Sequence, residues 1–468
     1  MHKSTRREHL KRSALAFGAT ILPSYLTSAR AAGDRLPPSE RINLACVGVG
    51  GRASKVIPSL CRDGVAEPVA FCDVDFELPK GTADILKKYP SVPRFNDFRE
   101  MFDKMGDDID AVSVVVPDHS HFCATILAMS MGKHVYVEKP LTRTFHESEL
   151  LKRAEKKYGV VTQMGNQGHT GTGFDTFSKM VKLGLCNNIT KMDAWKSPGL
   201  WFMKQEERLK GKPTVDPIPP SLNDYDLWCG PRKMLPFNKL YHPFSWRGFY
   251  EYGMGMLGDW GAHIVDYAHD KLNLGLPTQL KSLYMEDHND IFYPLSSHLS
   301  MQFPARGEMP GLNLTWRDGG DFRPKALERF LKGNASGNPR SRGGGTLLYS
   351  DNSDFAILRG HHGDAPEIIP SATQKEYADR LKLDDAASTQ PDHFQSFLNA
   401  CKGEGKTNSP FSSAATLTQV LALGTITQYL NTDLTFDPNQ KKFVGNDDAN
   451  VLLNPPVRSD WEEFYRMA

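Results

Sequence analysis

The chain alternates short runs of consecutive apolar residues with longer stretches of helical period. Ile42-Asn43-Leu44-Ala45-Cys46-Val47-Gly48 reads as a buried strand, and Val69-Ala70-Phe71-Cys72, inside 67–74, as a second. Residues 111–116, with consecutive β-branched side chains, predict a third. His134-Val135-Tyr136-Val137 predicts a fourth, and Gly159-Val160-Val161-Thr162 begins a fifth. Between them, 53–62, 77–88, 98–105, 121–131 and 146–158 predict helices. Strands of continuous apolar character, each followed by a helix, predict a parallel sheet covered on both faces.

From about Lys191 the pattern changes to aromatic and Gly-rich loops with strand-like runs at 280–285 and 298–303. In the latter, Leu299, Met301 and Phe303 alternate with polar residues, as a half-buried strand would. The fold class is therefore α/β: a doubly wound parallel sheet over 40–165, then an α/β domain over 166–468 with a large, open, mainly antiparallel sheet. Residues 333–345 are rich in Gly, Ser, Arg and Asn and predict a surface loop. Helices are expected at 392–401 and 414–430, and no internal repeat is present.

The length of 468 residues suits two domains. A net charge of +1 gives no general pull toward nucleic acid or an acidic membrane. Seven cysteines are scattered without a CxxC pair, which argues against a metal cage or a disulfide framework. Residues 1–32 stand apart: Arg6-Arg7 precede an Ala-rich apolar stretch, 13–26, and Ala29-Arg30-Ala31 offers small residues for a signal peptidase. This reads as a twin-arginine export signal rather than a basic arm or an anchor helix, since Pro23 and the short apolar stretch oppose a spanning helix. It predicts a periplasmic or exported protein, free of the membrane after export.

Gly48-Val49-Gly50-Gly51-Arg52-Ala53 follows the first strand and opens the first helix, fitting G-x-G-x-x-G/A. Gly48 permits the tight turn, Gly50 is expected to let backbone approach a pyrophosphate, and Ala53 is small enough for helix–strand packing. With Gly51 and Arg52 this is the expected dinucleotide cradle of a Rossmann domain, the phosphates lying at a helix N-terminus. Asp73 ends the second strand, where a carboxylate would hold the ribose hydroxyls and repel a 2′-phosphate, favouring NAD over NADP. Pro117, His121, Glu138 and Lys139 end later strands and so fall near the nicotinamide. On a helix, Asp259 and His263 share one face. Singly, each has a plainer reading: a surface lysine, a helix cap, a core histidine. His119 and His121 lack the company a metal site needs, and no metal is expected.

Taken together, these residues carry a resemblance. The glycine loop, Glu138-Lys139-Pro140 and the D-x-x-x-H of Asp259 and His263 resemble the Gfo/Idh/MocA oxidoreductases, over nearly everything after the signal. Gln163-Met164-Gly165-Asn166-Gln167 and Trp316-Arg317-Asp318-Gly319 look like features of the exported branch. The resemblance implies that Lys139 binds the reacting hydroxyl beside the nicotinamide, Asp259 contacts substrate and orients the site, and His263 is the general base. It also implies a homo-oligomer, dimer or tetramer. Such a set suits the chemistry, because hydride leaves a carbinol carbon only as the hydroxyl proton is removed. Asn166, Gln167, Trp246 and Arg247 are expected at the substrate, and Trp195, Trp201, Tyr241, Trp246 and Tyr252 as a sugar-stacking wall or as core; Asp266 is left open. The function expected is NAD-dependent oxidation of a sugar or glycoside hydroxyl. The alternatives are a redox-neutral glycosidase, which needs a further base that the sequence does not identify, and a silent sugar-binding protein.

Overall fold

The computed structural model describes residues 40–197, 213–320, 323–331, 343–383 and 391–468. Strands β1 (Ile42–Val47), β2 (Ala66–Cys72), β3 (Arg94–Phe95), β4 (Ala111–Val114), β5 (His134–Glu138) and β6 (Thr162–Gly165) form a parallel sheet in the order β3-β2-β1-β4-β5-β6. Helices α1 (Ala53–Leu60), α2 (Thr82–Lys88), α3 (Phe98–Met105), α4 (His121–Ser130) and α5 (Phe145–Tyr158) connect or follow them. Every residue of β4 is buried, as the absence of polar alternation requires. The strand order reverses between β1 and β4, which opens a crevice beyond their carboxyl ends.

Local signals set the element ends. Thr144 and Glu147 cap the start of α5 reciprocally, and Gly159 at φ 63° ends it. The expectation for α2 began too early: Lys80 and Gly81 have φ of 70° and 95°, and the helix starts only at Thr82. β3 was not foreseen, because two residues carry no period to read.

The second sheet has nine strands: β7 (Lys191–Lys196), β8 (Gln279–Glu286), β9 (Ser296–Phe303), β10 (Leu312–Asp318), β11 (Gly344–Tyr349), β12 (Ala356–Gly360), β13 (Glu367–Ile369), β14 (Leu434–Asp437) and β15 (Lys442–Phe443). Their order is β13-β12-β11-β7-β10-β9-β8-β14-β15. Among the described residues of this sheet only β7 and β10 pair in parallel; the remaining pairs are antiparallel. β9 and β10 alternate buried and half-buried residues, so one face meets the core. Trp316 donates from Nε1 to the buried Asp318 carboxylate at 2.7 Å, so this part of the Trp316–Gly319 motif braces the sheet. Gly344 and Gly345 belong to β11, whereas 332–342, Trp201 and the export segment lie outside the described residues.

The chain then returns to the first sheet. Helix His393–Cys401 places Phe394 against Tyr136 of β5, ring centroids 5.5 Å apart, and Phe397 at 5.8 Å. The segment Ser459–Arg466 sets Tyr465 against Phe122 of α4 at 4.6 Å and Trp461 against Phe98 of α3 at 6.0 Å. All seven cysteines are free, five of them buried.

Candidate active site

The crevice beyond β1 and β4 widens into a cleft of about 770 Å³, a size suited to a small ligand or cofactor. Gly48, Gly50, Gly51, Arg52 and Asp73 line one end; Glu138, Lys139, Asp259 and His263 line it further along. Gly48 sits at φ 92°, where a Cβ would lie 2.1 Å from the Val115 carbonyl oxygen. Gly50 also meets a packing demand: a Cβ there would fall 2.5 Å from Thr82 Oγ1 and 2.9 Å from Leu78 Cβ. Packing against the segment before α2 demands this glycine, and the cleft beside it stays open. No side chain caps the start of α1; its Ala53 and Lys55 amides donate to the Gly50 and Arg52 carbonyls at 3.0 Å.

Asp73 ties this turn to β2. Its carboxylate accepts from the Val49 amide at 2.8 Å and the Asp75 amide at 3.1 Å. Burial raises the carboxyl to about 6, against the pull of these amides. Beside it, residues from the second half of the chain close the cleft. His242 Nε2 lies 2.8 Å from Asp75 Oδ2, Ser221 Oγ donates to the same oxygen at 3.1 Å, and the Lys80 ammonium sits 4.3 Å from the Phe244 ring centre.

Glu138 organises the next stretch. Arg52 Nε donates to its Oε1 at 3.1 Å and Gln167 Nε2 at 2.8 Å, while Gln167 Nε2 also lies 2.8 Å from the Tyr136 hydroxyl. On the neighbouring strand Gly165 makes the room: a Cβ there would lie 2.8 Å from Glu138 Oε1. Pro117 and His121 edge the cleft. Both His121 ring nitrogens lie 2.8 Å from carbonyl oxygens, of Pro140 and Val116, so this histidine links two turns at the cleft's edge. His119 is likewise enclosed, by the carbonyls of Trp228 and Tyr252.

Asp259 and His263 do share a face, but the helix carrying them is not regular. Leu257–Gly261 forms a π-helical turn running into Ala262–Ile264. Such wide turns loosen the backbone ladder and recur at functional sites. Here the Asp259 carbonyl accepts from Lys139 Nζ at 3.0 Å, and the Asp259 carboxylate pairs with the same ammonium. Arg247 extends the network, donating to Asp118 at 2.9 Å and lying 3.4 Å from Asp259 Oδ1. Two cations thus face two carboxylates, all at most about a tenth exposed. The His263 side chain is buried, and its Nδ1 has no hydrogen-bond partner among the described residues. Burial, then the Lys139 charge, hold its pKa well below the ordinary imidazole value.

Several expected contacts fall elsewhere. Asn166 is buried outside the cleft and donates to Asp266 at 2.9 Å; that carboxylate also pairs with His169 at 2.9 Å. The order of Asn166 and Gln167 in sequence gave no sign that only the second reaches the cleft. Trp195, Tyr241 and Tyr252 are core residues, 1%, 3% and 0% exposed, whereas Trp246 and Arg247 line the cleft. The aromatic walls also include Trp228, Trp260 and Trp461, and His362 stands beside His263 with ring centroids 4.3 Å apart. Trp260 lies within the D-x-x-x-H segment, while no local motif marks Trp228, Trp461 or His362.

A parallel sheet whose first glycine turn opens onto such a cleft defines a dinucleotide-binding enzyme fold. The model described as "Oxidoreductase family, NAD-binding Rossmann fold" matches residues 42–166, and "Oxidoreductase family, C-terminal alpha/beta domain" matches 171–276 and 352–463. The chain belongs to this Gfo/Idh/MocA oxidoreductase family. It is 30% identical over 199 residues to a glycosyl hydrolase family 109 protein of Solibacter usitatus, covering 41% of this chain and 45% of that protein. It is 29% identical over 108 residues to scyllo-inositol 2-dehydrogenase (NADP(+)) of Bacillus subtilis, covering 23% and 30%. The chain therefore spans less than half the length of these two curated relatives. The WlbA dehydrogenase of Bordetella pertussis, solved with NADH and UDP-GlcNAcA, superposes with a TM-score of 0.54 at 14% identity, over 85% of this chain and 99% of that one; at that identity the likeness is one of fold.

Proposed function

We propose that this protein is an NAD-dependent oxidoreductase acting on a sugar or glycoside hydroxyl. The observation that carries the reading is the convergence of Lys139, Asp259 and His263 in the cleft onto which the glycine turn opens. The fit for a dinucleotide rests on the open cleft beside Gly50 and Gly51. Gly48, Gly50, Gly51, Arg52, Asp73 and Glu138 would hold it. A nicotinamide held there would supply the acceptor for a hydride from a carbinol carbon. Lys139 has three donors, two of them directed at Asp259, and the third is left for the substrate oxygen. Its ammonium steadies the alkoxide as the proton leaves. His263, neutral because burial depresses its pKa, takes that proton. NAD is preferred over NADP because a carboxylate, Asp73, lines the cleft beside the glycine turn, where it would repel a 2′-phosphate; the name of the Bacillus relative specifies NADP(+).

The name of the Solibacter relative supports a second reading, a redox-neutral glycosidase. Denaturing the purified protein and assaying released NAD(H) or NADP(H) tests the cofactor; an empty protein would sink both readings. A panel of free sugars and aryl glycosides then separates them. Keto-sugar formed against an added carbonyl acceptor supports the dehydrogenase, and aglycone release without net reduction of cofactor supports the glycosidase. We further propose that the protein is exported folded with its cofactor and works as a homo-oligomer on a small carbohydrate.

A further inference from the structure

The loop after β12 carries His361-His362-Gly363, and its backbone is unusual. His362 sits at φ 57°, a left-handed conformation that residues with a Cβ rarely adopt. The surroundings enforce it. A Cβ on Gly360 would lie 2.0 Å from Asp364 Oδ2, one on Gly173 2.3 Å from the Gly363 oxygen, and one on Gly168 3.0 Å from the Gly363 amide. Arg359, buried, donates from Nε to the Asp364 carbonyl at 2.8 Å. Three glycines and a buried guanidinium thus clamp the loop against 168–173. Strain retained in so determined a setting is a recurrent mark of functional sites.

The clamp delivers the His362 ring into the cleft. It lies beside His263, with Trp260 6.5 Å away, ring centre to ring centre, and the side chain remains accessible from the cleft. Burial, and the charges of Lys139 and Arg52, hold its pKa below the ordinary value, so it is a free base at neutral pH.

We propose that His362 is a second catalytic base, acting on a carbon rather than an oxygen: it removes the proton from the carbon next to the carbonyl that oxidation creates. This rests on the reading above that a sugar hydroxyl is oxidised in this cleft. The C–H bond breaks, its proton goes to the His362 imidazole, and its electron pair forms the enolate C=C as the carbonyl pair moves onto the oxygen beside Lys139. In a free sugar the proton returns from His362, with exchange against solvent. Where the next carbon bears a glycosidic oxygen, the enolate re-forms the carbonyl and expels that oxygen, which leaves with the His362 proton. Water then adds across the double bond, its hydroxyl to the former glycosidic carbon and its proton to the neighbouring one.

The test uses the cofactor-loaded protein in D2O, with whichever free sugar or aryl glycoside of the panel changes the nicotinamide absorbance. Mass spectrometry and NMR then read deuterium at the carbon beside the oxidised one. Wild type is expected to incorporate deuterium. The variant His362→Asn, whose new residue tolerates a left-handed backbone, is expected to keep its cofactor and its absorbance change but to exchange at least ~100-fold more slowly. His263→Asn is expected to lose the absorbance change itself. Wild-type exchange in His362→Asn, or no exchange in wild type despite the absorbance change, would overturn the proposal and leave the oxidoreductase standing. Failure of every sugar to change the absorbance would remove the oxidoreductase reading, and this one with it.

Discussion

Lys139 is held by a carboxylate and a carbonyl of one residue, so its ammonium is positioned before any substrate arrives. Replacing it with Ala should lower kcat by about 10²–10⁴-fold while bound NAD, measured after denaturation, stays near wild type. His263→Asn should do the same, because neither side chain contributes to the glycine turn. Loss of cofactor in both variants would mean that they support the dinucleotide rather than the chemistry. The depressed pKa of His263 also fixes a sign. A base that is protonated only well below 6.5 keeps its activity as pH falls through 6.5, so the acid limb of kcat/KM should lie below the ordinary histidine range. An acid limb at or above 6.5 would contradict the assignment.

At the scale of elements, one close joint in the site is between two adjacent strands. Glu138 on β5 lies across the place where Gly165 on β6 lacks a side chain. Gly165→Ala should displace Glu138 and unsettle its bonds to Arg52 and Gln167. The expected cost is about 1–3 kcal/mol in urea denaturation, together with weaker cofactor retention; an unchanged NAD content would show that Glu138 is dispensable to the cleft. Much of this level was legible in the chain. Apolar runs marked the early strands, and the glycine spacing marked the turn. What period and spacing cannot express is which neighbour fills the space beside a glycine, as Thr82 and Leu78 do beside Gly50. Nor do they tell a core aromatic from a wall aromatic: Tyr252 and Trp246 differ only in what distant segments bring to them. His362 had no signal, since a clamped loop is written in glycines scattered from 168 to 363.

At the scale of the whole molecule, the returning chain makes the two sheets interdependent. His393 sits at that seam, accepting at Nδ1 from the Thr170 hydroxyl at 2.9 Å and donating from Nε2 to the Met164 carbonyl at 2.8 Å. Burial lowers its pKa from 6.5 to about 4. Above 6.5 neither folded nor unfolded chain protonates this ring. Between 6.5 and about 4 only the unfolded chain does, so stability falls as pH drops through that window, by about 3 kcal/mol at most. His393→Gln should be less stable at pH 7 and show a shallower decline of urea midpoint in acid. An equally steep decline would place the acid sensitivity elsewhere. For residues 1–32, fusion to a folded fluorescent reporter tests the export proposal: the fusion should reach the periplasm, and Arg6→Lys with Arg7→Lys should retain it in the cytoplasm.

Trp461, which lines the cleft and packs on Phe98, has one more implication. During translation the glycine turn emerges first, and this part of its enclosure emerges hundreds of residues later, so a half-made chain presents a gapped nucleotide groove. Capture of the dinucleotide then becomes a late event in biogenesis, reporting that the polypeptide has folded back on its own beginning.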